Sequence, residues 1–405
     1  MSARDTGAVL LRVSACATVA AAPLEGYLMA VHPHFAKVPA VVLAVAWSVI
    51  RVRQRRLPSP HPVHIPLAAL TAVLLATSAV HLAEPFSVAY LVRWLPFLAI
   101  TVILIDVAAR EVPIRALLGS AVGGAAVAAV GAFHSMIALG ESRASGPMED
   151  PNDLAYVLVA ALPLLVAVLP VGRRLSVPTI LVALLGVVLA LGVAATFSRG
   201  GGLALLAATG WLVLRREVPK RVVVASVVIL GALGLAGSLL AAEELARALQ
   251  EKSYIAGTNV DTRELRWEAA ARMLSDNPVL GVGPGGFRTG YAAASHNAEI
   301  DEQSPVAHNM YLEVAAELGL PGLALFLGII ACAVVASEHV LRVSTDRKPM
   351  VAVQAGLLAV LVASTFLSQH YYLPLWSLIA LACAADIRVR EGRRGGGHAG
   401  LAGDQ

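Results

Sequence analysis

The sequence is poor in charged residues. Asp, Glu, Lys and Arg make up 14% of its 405 residues, whereas 58% are hydrophobic. A soluble domain of this length needs a larger polar surface, because its core cannot hide so much apolar side chain. The shortage of charge therefore excludes a soluble globular protein and predicts an all-α protein that crosses a membrane many times.

Cysteine is scarce as well. The three cysteines, Cys16, Cys332 and Cys383, lie within apolar stretches and show neither paired nor metal-ligand spacing, so we interpret them as packing residues. No set of His, Asp and Glu has metal-ligand spacing on one predicted helix, and the His-Pro-His at 32–34 is a poor preformed site. We therefore expect neither a metal site nor a cofactor.

The sequence contains the glycine pattern of a nucleotide-binding motif without the structural context that such a motif needs. Residues 277–287 read NPVLGVGPGGF and contain G-x-G-x-x-G at Gly281, Gly283 and Gly286. No strand precedes these glycines, and Pro284 lies among them, so the dinucleotide interpretation fails. The segment instead predicts a tight turn whose backbone closely approaches a ligand or a neighbouring helix.

Apolar stretches long enough to span about 30 Å of hydrocarbon as helices recur along the chain. We predict about twelve of them, near residues 8–30, 38–51, 64–82, 86–107, 113–139, 153–171, 177–197, 201–214, 221–241, 321–341, 350–368 and 373–387. The chain shows no internal repeat, which makes a transporter of two comparable halves the less favoured interpretation.

Basic residues mark one side of this arrangement. Arginines cluster at 51–56, and further Lys and Arg occupy every second loop after it, which is typical of cytoplasmic loops. Both termini are therefore predicted to be cytoplasmic, and no cleavable signal peptide is evident. The same loops account for the net charge of +4, so the charge does not indicate a nucleic-acid partner.

One predicted outer loop is far longer than the others, and loops of that length are usually functional. It divides the chain into four predicted regions: spans 1–9 at 1–241, the long loop at 242–312, spans 10–12 at 313–387, and a disordered cytoplasmic tail at 388–405. Two stretches of the loop, 241–252 and 261–278, have helical composition.

The second helix carries an arginine and a tryptophan on one face. At 100° per residue, that face holds Arg263, Trp267, Ala270, Ala271 and Leu274, with Arg266 about 60° away. The alternative interpretation is an interfacial helix with a Trp anchor and arginines that reach the headgroups.

Two arginines are not explained by the topology. Arg199 lies at the outer end of a span, and Arg93 lies inside the fourth span, where an ionisable residue indicates a functional site by default. The alternative is that both anchor their helices at the outer headgroups.

A polar cluster stands before the tenth span. His308 and Asn309 are followed by Glu313 and Glu317, and Asn309, Glu313 and Glu317 recur every four residues, which gives one stripe on a short helix. Gly319-Leu320-Pro321-Gly322 is expected to break that helix before the span begins.

These motifs occur in a characteristic order. SRGG at a span end, Arg263 to Trp267, NPVLGVGPGGF and HNMYLEVAAELGLPG together resemble the O-antigen ligase and O-antigen polymerase superfamily over residues 196–322. GPMEDPNDLAY at 146–156 is similar to a shorter outer-loop motif of that family.

The resemblance implies a GT-C-like, metal-independent glycosyltransferase of the cytoplasmic membrane that works at its outer leaflet. Its donor would be a glycan on undecaprenyl diphosphate, and its acceptor a hydroxyl of a glycan or glycolipid, or of another carrier-linked repeat unit in a polymerase. It implies catalytic roles for Arg199, Arg263 and His308. The substrate-binding candidates are Arg266, Arg93, Asn309, Glu313, Glu317 and Trp267.

The residue types suit this chemistry. Arginine is always charged and binds phosphate through a planar fork, and histidine can take a proton from a hydroxyl near neutral pH. A lipid-linked oligosaccharide flippase and an envelope scaffold remain alternatives. A flippase needs polar residues along many spans, and most spans here consist of Ala, Val, Leu and Gly.

Overall fold

The computed structural model describes residues 3–148, 150–168, 176–221, 262–299 and 304–401, with a few isolated residues between them. Within these residues the regular structure is helical throughout, which confirms the prediction of an all-α protein. The α-helices, numbered in chain order, are α1 (Ala3–Ala21), α2 (Glu25–Val31), α3 (Val38–Gln54), α4 (His64–Val80), α5 (Ser87–Arg110), α6 (Ile114–Leu139), α7 (Pro151–Ala161), α8 (Leu165–Val168), α9 (Val177–Ala195), α10 (Arg199–Leu214), α11 (262–276), α12 (Gly286–Ala294), α13 (Met310–Val343), α14 (Lys348–Ala363) and α15 (Leu373–Leu401).

The helices are those of a multi-pass membrane protein. In the described part of the chain, seven helical segments are long and apolar enough to cross a membrane, and three further apolar helices, α4, α10 and α14, are shorter. Helices occur at the predicted spans, with one exception: the ninth, 221–241, lies almost entirely outside the described residues. The predicted helix at 241–252 lies outside them as well.

The basic loops meet at one end of the helix bundle. Arg51 of α3 pairs with Asp106 of α5 at 2.6 Å and with Glu111 at 2.8 Å. Arg388 of α15 donates to the carbonyl oxygen of Val112 at 2.7 Å. Helices α5 and α13 both end at this basic end. The segment with His308, which precedes α13, therefore lies at the opposite end of the bundle.

The last helix includes most of the segment predicted to be a disordered tail, 388–405, and the disorder of that tail stays a prediction. Helix α15 continues through Leu401, so that residues 388–401 are helical. Its first part is buried, and Arg388 fastens the next turn to carbonyl oxygens at the end of α5, Ala108 among them at 2.7 Å. The helix therefore continues beyond its buried part. The glycine-rich composition of the tail does not indicate the contact that Arg388 makes with α5.

Candidate active site

His308 lies immediately before α13 and has a left-handed backbone conformation, with φ of 49°. For a residue other than glycine this conformation costs of order 1–3 kcal/mol, so neighbouring contacts must hold it. The Met310 N–H donates to the carbonyl oxygen of Ser364 at 2.9 Å. Asn309, a predicted substrate ligand, caps α13 and accepts a hydrogen bond from the Tyr311 N–H at 3.0 Å.

Ala307, the residue before His308, is held from two sides. The indole N–H of Trp267 donates to the Ala307 carbonyl oxygen at 3.1 Å, and the Ala307 N–H donates to the Glu313 carboxylate at 2.9 Å. That carboxylate also accepts a hydrogen bond from the Ser368 hydroxyl, and Glu313 is only 3% exposed. Trp267 and Glu313, both predicted substrate ligands, thus position the His308 backbone.

The His308 ring is partly buried, and neither ring nitrogen has a hydrogen-bond partner within the described residues. Burial, followed by the positive charges of Arg266 and Arg263, lowers the pKa of His308 to about 4, against the opposing charge of Asp150. The imidazole is therefore neutral at neutral pH. It can accept a proton from a hydroxyl placed beside it.

Arg266 in α11 is buried and paired with two carboxylates. Its guanidinium donates to both oxygens of Glu299 at 3.1 Å and to Glu302 at 2.9 Å. The Tyr291 hydroxyl also donates to Glu299. Burial lowers the pKa of Arg266, but Glu299 and Glu302 outweigh it and raise the pKa overall. This network ties α11 to the chain after α12, so the charge of Arg266 is already compensated.

The buried face of α11 is rotated from the face that carries Arg263 and Trp267. The buried residues are Arg266, Ala269, Ala270 and Met273, whereas Arg263, Trp267 and Leu274 are partly buried. Ala271, on the face that carries Arg263 and Trp267, is exposed. The carboxylates that turn Arg266 inward come from more than 30 residues away, and helical periodicity does not register them.

Arg263 is a half-buried arginine about one turn before Trp267. No hydrogen bond or ion pair to its side chain occurs within the described part of the chain. Burial lowers its pKa, Asp150 opposes the shift and Arg266 adds to it. From an ordinary value of 12.5, the group stays charged at neutral pH. Arg263 therefore offers a guanidinium to an incoming anion.

Asp150 was not among the candidates from the sequence, yet its charge acts on both Arg263 and His308. Its Oδ1 accepts from the Asn152 N–H at 2.7 Å and so caps α7. An Asp before Pro151 is a recognisable helix start. That signal predicts the cap, but it cannot show which residues lie across from it.

The glycine-rich segment 277–286 packs its backbone against the first half of α13. The Gly283 N–H donates to the Glu317 carbonyl oxygen at 3.0 Å. Gly281 has φ of 64°, and a Cβ there would lie 2.4 Å from the Glu317 carbonyl carbon, so only glycine fits. The predicted close approach is confirmed, and it is made to a neighbouring helix.

The predicted break of α13 is also confirmed. Gly319 has φ of 68° and ψ of −175°, and the freed Leu320 N–H donates to the Pro278 carbonyl oxygen at 2.8 Å. Glu317, a predicted substrate ligand, is 1% exposed, and its Oε1 accepts from the Gly285 N–H at 2.9 Å. The carboxylate thus holds the turn that starts α12.

Arg199 begins α10 and is exposed. Gly200 packs against Phe366, which lies in the loop that accepts a hydrogen bond from the start of α13. Arg199 is therefore at the same end of the bundle as the site. No contact between Arg199 and Arg263 occurs among the described residues, so the catalytic roles that the resemblance implies for these two arginines stay predictions.

Arg93 lies on another flank, in α5. Its guanidinium carbon is 5.1 Å from the centroid of the Tyr90 ring, and its charge acts on Glu25 and His370. Burial, and then Arg93, lowers the pKa of His370 to about 3. The structure does not bring Arg93 into contact with His308.

Among the described residues, the positive charges that act on His308 are guanidinium groups. In the described ranges, no group of three or more His, Cys, Asp and Glu residues is arranged to hold a metal ion. Arg263 and Arg266 are the cations whose charges act on His308.

The comparison with protein families agrees with this site. The O-antigen ligase family model matches residues 184–327, from within α9 to within α13. The match contains Arg199, Arg263 and His308, whereas Arg93 and Asp150 lie outside it. A search of curated proteins found no match. Residues 184–327 are thus similar to the O-antigen ligase family, which supports the resemblance to the O-antigen ligase and polymerase superfamily; members of that family are glycosyltransferase-like enzymes.

Proposed function

We propose that this protein transfers a glycan from undecaprenyl diphosphate to a hydroxyl of a glycan or glycolipid at the outer face of the cytoplasmic membrane. The observation that carries the proposal is the neutral His308 imidazole together with the half-buried guanidinium of Arg263, which acts on it and has no hydrogen-bond or ion-pair partner among the described residues. A proton acceptor and a fixed cation are the two groups that this transfer requires.

The reaction forms one glycosidic bond and breaks one sugar–phosphate bond. The acceptor oxygen attacks the anomeric carbon of the donor sugar, and its proton passes to a ring nitrogen of His308. The electron pair of the breaking C–O bond stays on the diphosphate, which leaves as undecaprenyl diphosphate. General-base assistance of this kind contributes about 10²–10⁴-fold to a rate.

Arg263 stabilises the leaving diphosphate. A guanidinium can donate two parallel hydrogen bonds to phosphate oxygens, and in a half-buried site these are stronger than in water. Arg199, exposed at the same end of the bundle, is the candidate for a second cation. Arg266 acts on the site through its charge and not by direct contact with substrate, because its hydrogen-bond donors are occupied by Glu299 and Glu302.

Donor binding is expected to raise the pKa of His308. A diphosphate next to Arg263 compensates the positive charges that, after burial, depress the His308 pKa. Binding of the donor therefore raises the basicity of His308 at the moment when a base is needed.

The proposal favours a ligase, with a polymerase as the alternative, and the acceptor distinguishes them. The test uses purified protein in lipid vesicles with the carrier-linked glycan and a glycolipid acceptor. We expect release of undecaprenyl diphosphate and one new glycosidic product. His308→Ala should lower the rate by about 10²-fold or more. His296→Ala, at an exposed position of the same loop region, is the matched control and should keep wild-type turnover.

Other outcomes of these experiments would indicate a different activity or a different role for His308. Chains of repeat units formed without the glycolipid indicate a polymerase, and glycan that crosses the bilayer uncleaved indicates a flippase. Full turnover in His308→Ala would end the assignment of the base. Activity should persist in excess chelator, and a loss that one divalent ion restores would overturn metal independence.

A further inference from the structure

Arg143 lies in the short loop between α6 and α7, and its side chain joins two other segments. Its Nε donates to the carbonyl oxygen of Thr196 at 3.0 Å, and its Nη2 donates to the Oδ1 of Asn152 at 3.4 Å. Thr196 belongs to the turn between α9 and α10, and Asn152 belongs to the first turn of α7. Arg143 therefore bridges the start of α7 and the turn that leads into Arg199.

The turn between α9 and α10 contains a strained residue. Phe197 has φ of 50°, a left-handed conformation that is costly for a residue other than glycine and persists only where neighbouring contacts hold it. Arg143 holds Thr196, the residue before it. The Ala144 N–H donates to the Ala195 carbonyl oxygen at 3.0 Å. The loop between α6 and α7 thus supports the turn through a side chain and through its backbone.

This turn sets the direction in which Arg199 leaves the bundle. Arg199 is the first residue of α10 and is exposed. The preceding Ser198 caps the helix, because its hydroxyl accepts a hydrogen bond from the Gly201 N–H at 3.2 Å. A shift of the turn therefore moves the start of α10, and the Arg199 guanidinium moves with it.

The first turn of α7 is also linked to the segment before His308. The Gln369 side chain donates to Asp153 of this turn, and the neighbouring Ser368 hydroxyl donates to Glu313. Glu313 in turn accepts a hydrogen bond from the backbone immediately before His308. The start of α7 is therefore common to the contacts that support both candidate catalytic residues.

We propose that Arg143 is a positioning residue, which sets the place of Arg199 relative to His308 by tying the turn before α10 to the start of α7. The inference rests on the proposed function, in which Arg199 is the second cation for the leaving diphosphate. Arg143 lies outside the segment that matches the O-antigen ligase family, residues 184–327. A misplacement of about 1 Å in a catalytic group lowers a rate by up to about 10²-fold, so the bridge should matter for turnover.

The first test is a double-mutant cycle on glycan transfer by the full chain in lipid vesicles, with the carrier-linked glycan and a glycolipid acceptor. Arg143→Gln should lower kcat/KM roughly 10–100-fold. In a chain that already carries Arg199→Gln, the same change should cost less than about twofold, because the group that it positions is gone. An equal loss in both backgrounds would show that Arg143 acts independently of Arg199, and it would overturn the proposal.

Ser142→Ala is the matched control. Ser142 is exposed and lies next to Arg143 in the same loop, so this variant should keep wild-type turnover. A loss in Ser142→Ala as large as that in Arg143→Gln would assign the effect to the loop as a whole and contradict the bridge.

The second test measures hydrogen exchange of the full chain in detergent and needs no turnover. The amides of Thr196 and Phe197 are hydrogen-bonded within the turn, so loss of the bridge should raise deuterium uptake at 195–202 and leave 310–318 unchanged. Arg143→Lys keeps the charge and loses the fork that spans the two segments, so uptake should rise in this variant as well as in Arg143→Gln. Wild-type uptake in either variant would overturn the proposal.

The two proposals fail in different ways. An inactive wild-type chain whose exchange at 195–202 still responds to Arg143→Gln contradicts the proposed function alone. An active enzyme whose kcat/KM does not change in Arg143→Gln contradicts the positioning role alone.

Discussion

His308 and Arg263 come from separate segments, and the pKa of each is lowered first by burial and then by the positive charge of Arg266, against the opposing charge of Asp150. Arg266 has its charge compensated by Glu299 and Glu302, whereas Arg263 has no such partner among the described residues. This difference between two arginines on one helix favours Arg263 as the residue that meets the substrate and Arg266 as part of the framework. The sequence ranked them in the same order for a different reason, the motif position.

At this scale the pH dependence of kcat/KM tests the pairing of His308 with Arg263. His308 must be neutral to act as a base, so activity is present above its pKa and is lost as the pH falls through about 4. Arg263→Gln removes a positive charge that depresses this pKa, so the acid limb should move to higher pH. Loss of the phosphate contact should also lower kcat/KM roughly 10–100-fold.

Arg263→Lys is the control for that shift. It keeps the charge and loses the planar fork, so kcat/KM should fall while the acid limb stays in place. An acid limb that does not move in Arg263→Gln would show that the two groups are not electrostatically linked.

At the scale of elements, the first half of α13 organises the site. Its two buried carboxylates serve different segments, Glu313 the backbone before His308 and Glu317 the turn before α12. The sequence placed both among substrate ligands because a polar stripe at the membrane has no other evident use. In the structure each carboxylate satisfies backbone donors that burial would otherwise leave unpaired.

The break at Gly319 should be sensitive to substitution. With φ of 68° and ψ of −175°, it has a conformation that is essentially reserved for glycine, and a Cβ would lie 2.5 Å from the Val279 carbonyl oxygen. Gly319→Ala should destabilise the protein by about 1–3 kcal/mol. It should also reduce glycan transfer, because the glycine-rich segment 277–286 can no longer pack its backbone against this part of α13. Thermal unfolding in detergent and turnover measure the two effects.

Gly328→Ala is the matched control on the same helix. A Cβ at Gly328 meets nothing within 4 Å, and alanine is the better helix former by roughly 0.5–1 kcal/mol, so this variant should be as stable as wild type or slightly more stable. Equal stability of the two variants would show that the break is not strained.

At the scale of the whole molecule, the bundle separates a basic end from the end that holds His308. The ion pairs of Arg51 lie at the basic end. The loops next to α11, α12 and α14 meet at the end that holds His308. Basic loops are retained in the cytoplasm, so the site is expected to face outward.

Cysteine labelling in intact cells tests this orientation. In a chain whose Cys16, Cys332 and Cys383 are replaced by alanine, Asp276→Cys at the end of α11 should react with a membrane-impermeant maleimide. Leu57→Cys, exposed at the basic end, should react only after the cells are opened. The reverse pattern would place the site in the cytoplasm.

The sequence by itself determined the class of the protein, the positions of most helices, the break at Gly319 and the segment that carries the family motifs. These follow from apolar run length, glycine and proline placement, and residue order, which are all local properties. Only the tertiary structure decided that the charge of Asp150 acts on Arg263, that Arg266 is neutralised, and that Glu313 and Glu317 bind backbone groups. Those outcomes depend on contacts between distant segments, because burial and charge act through space and the chain order does not encode them locally.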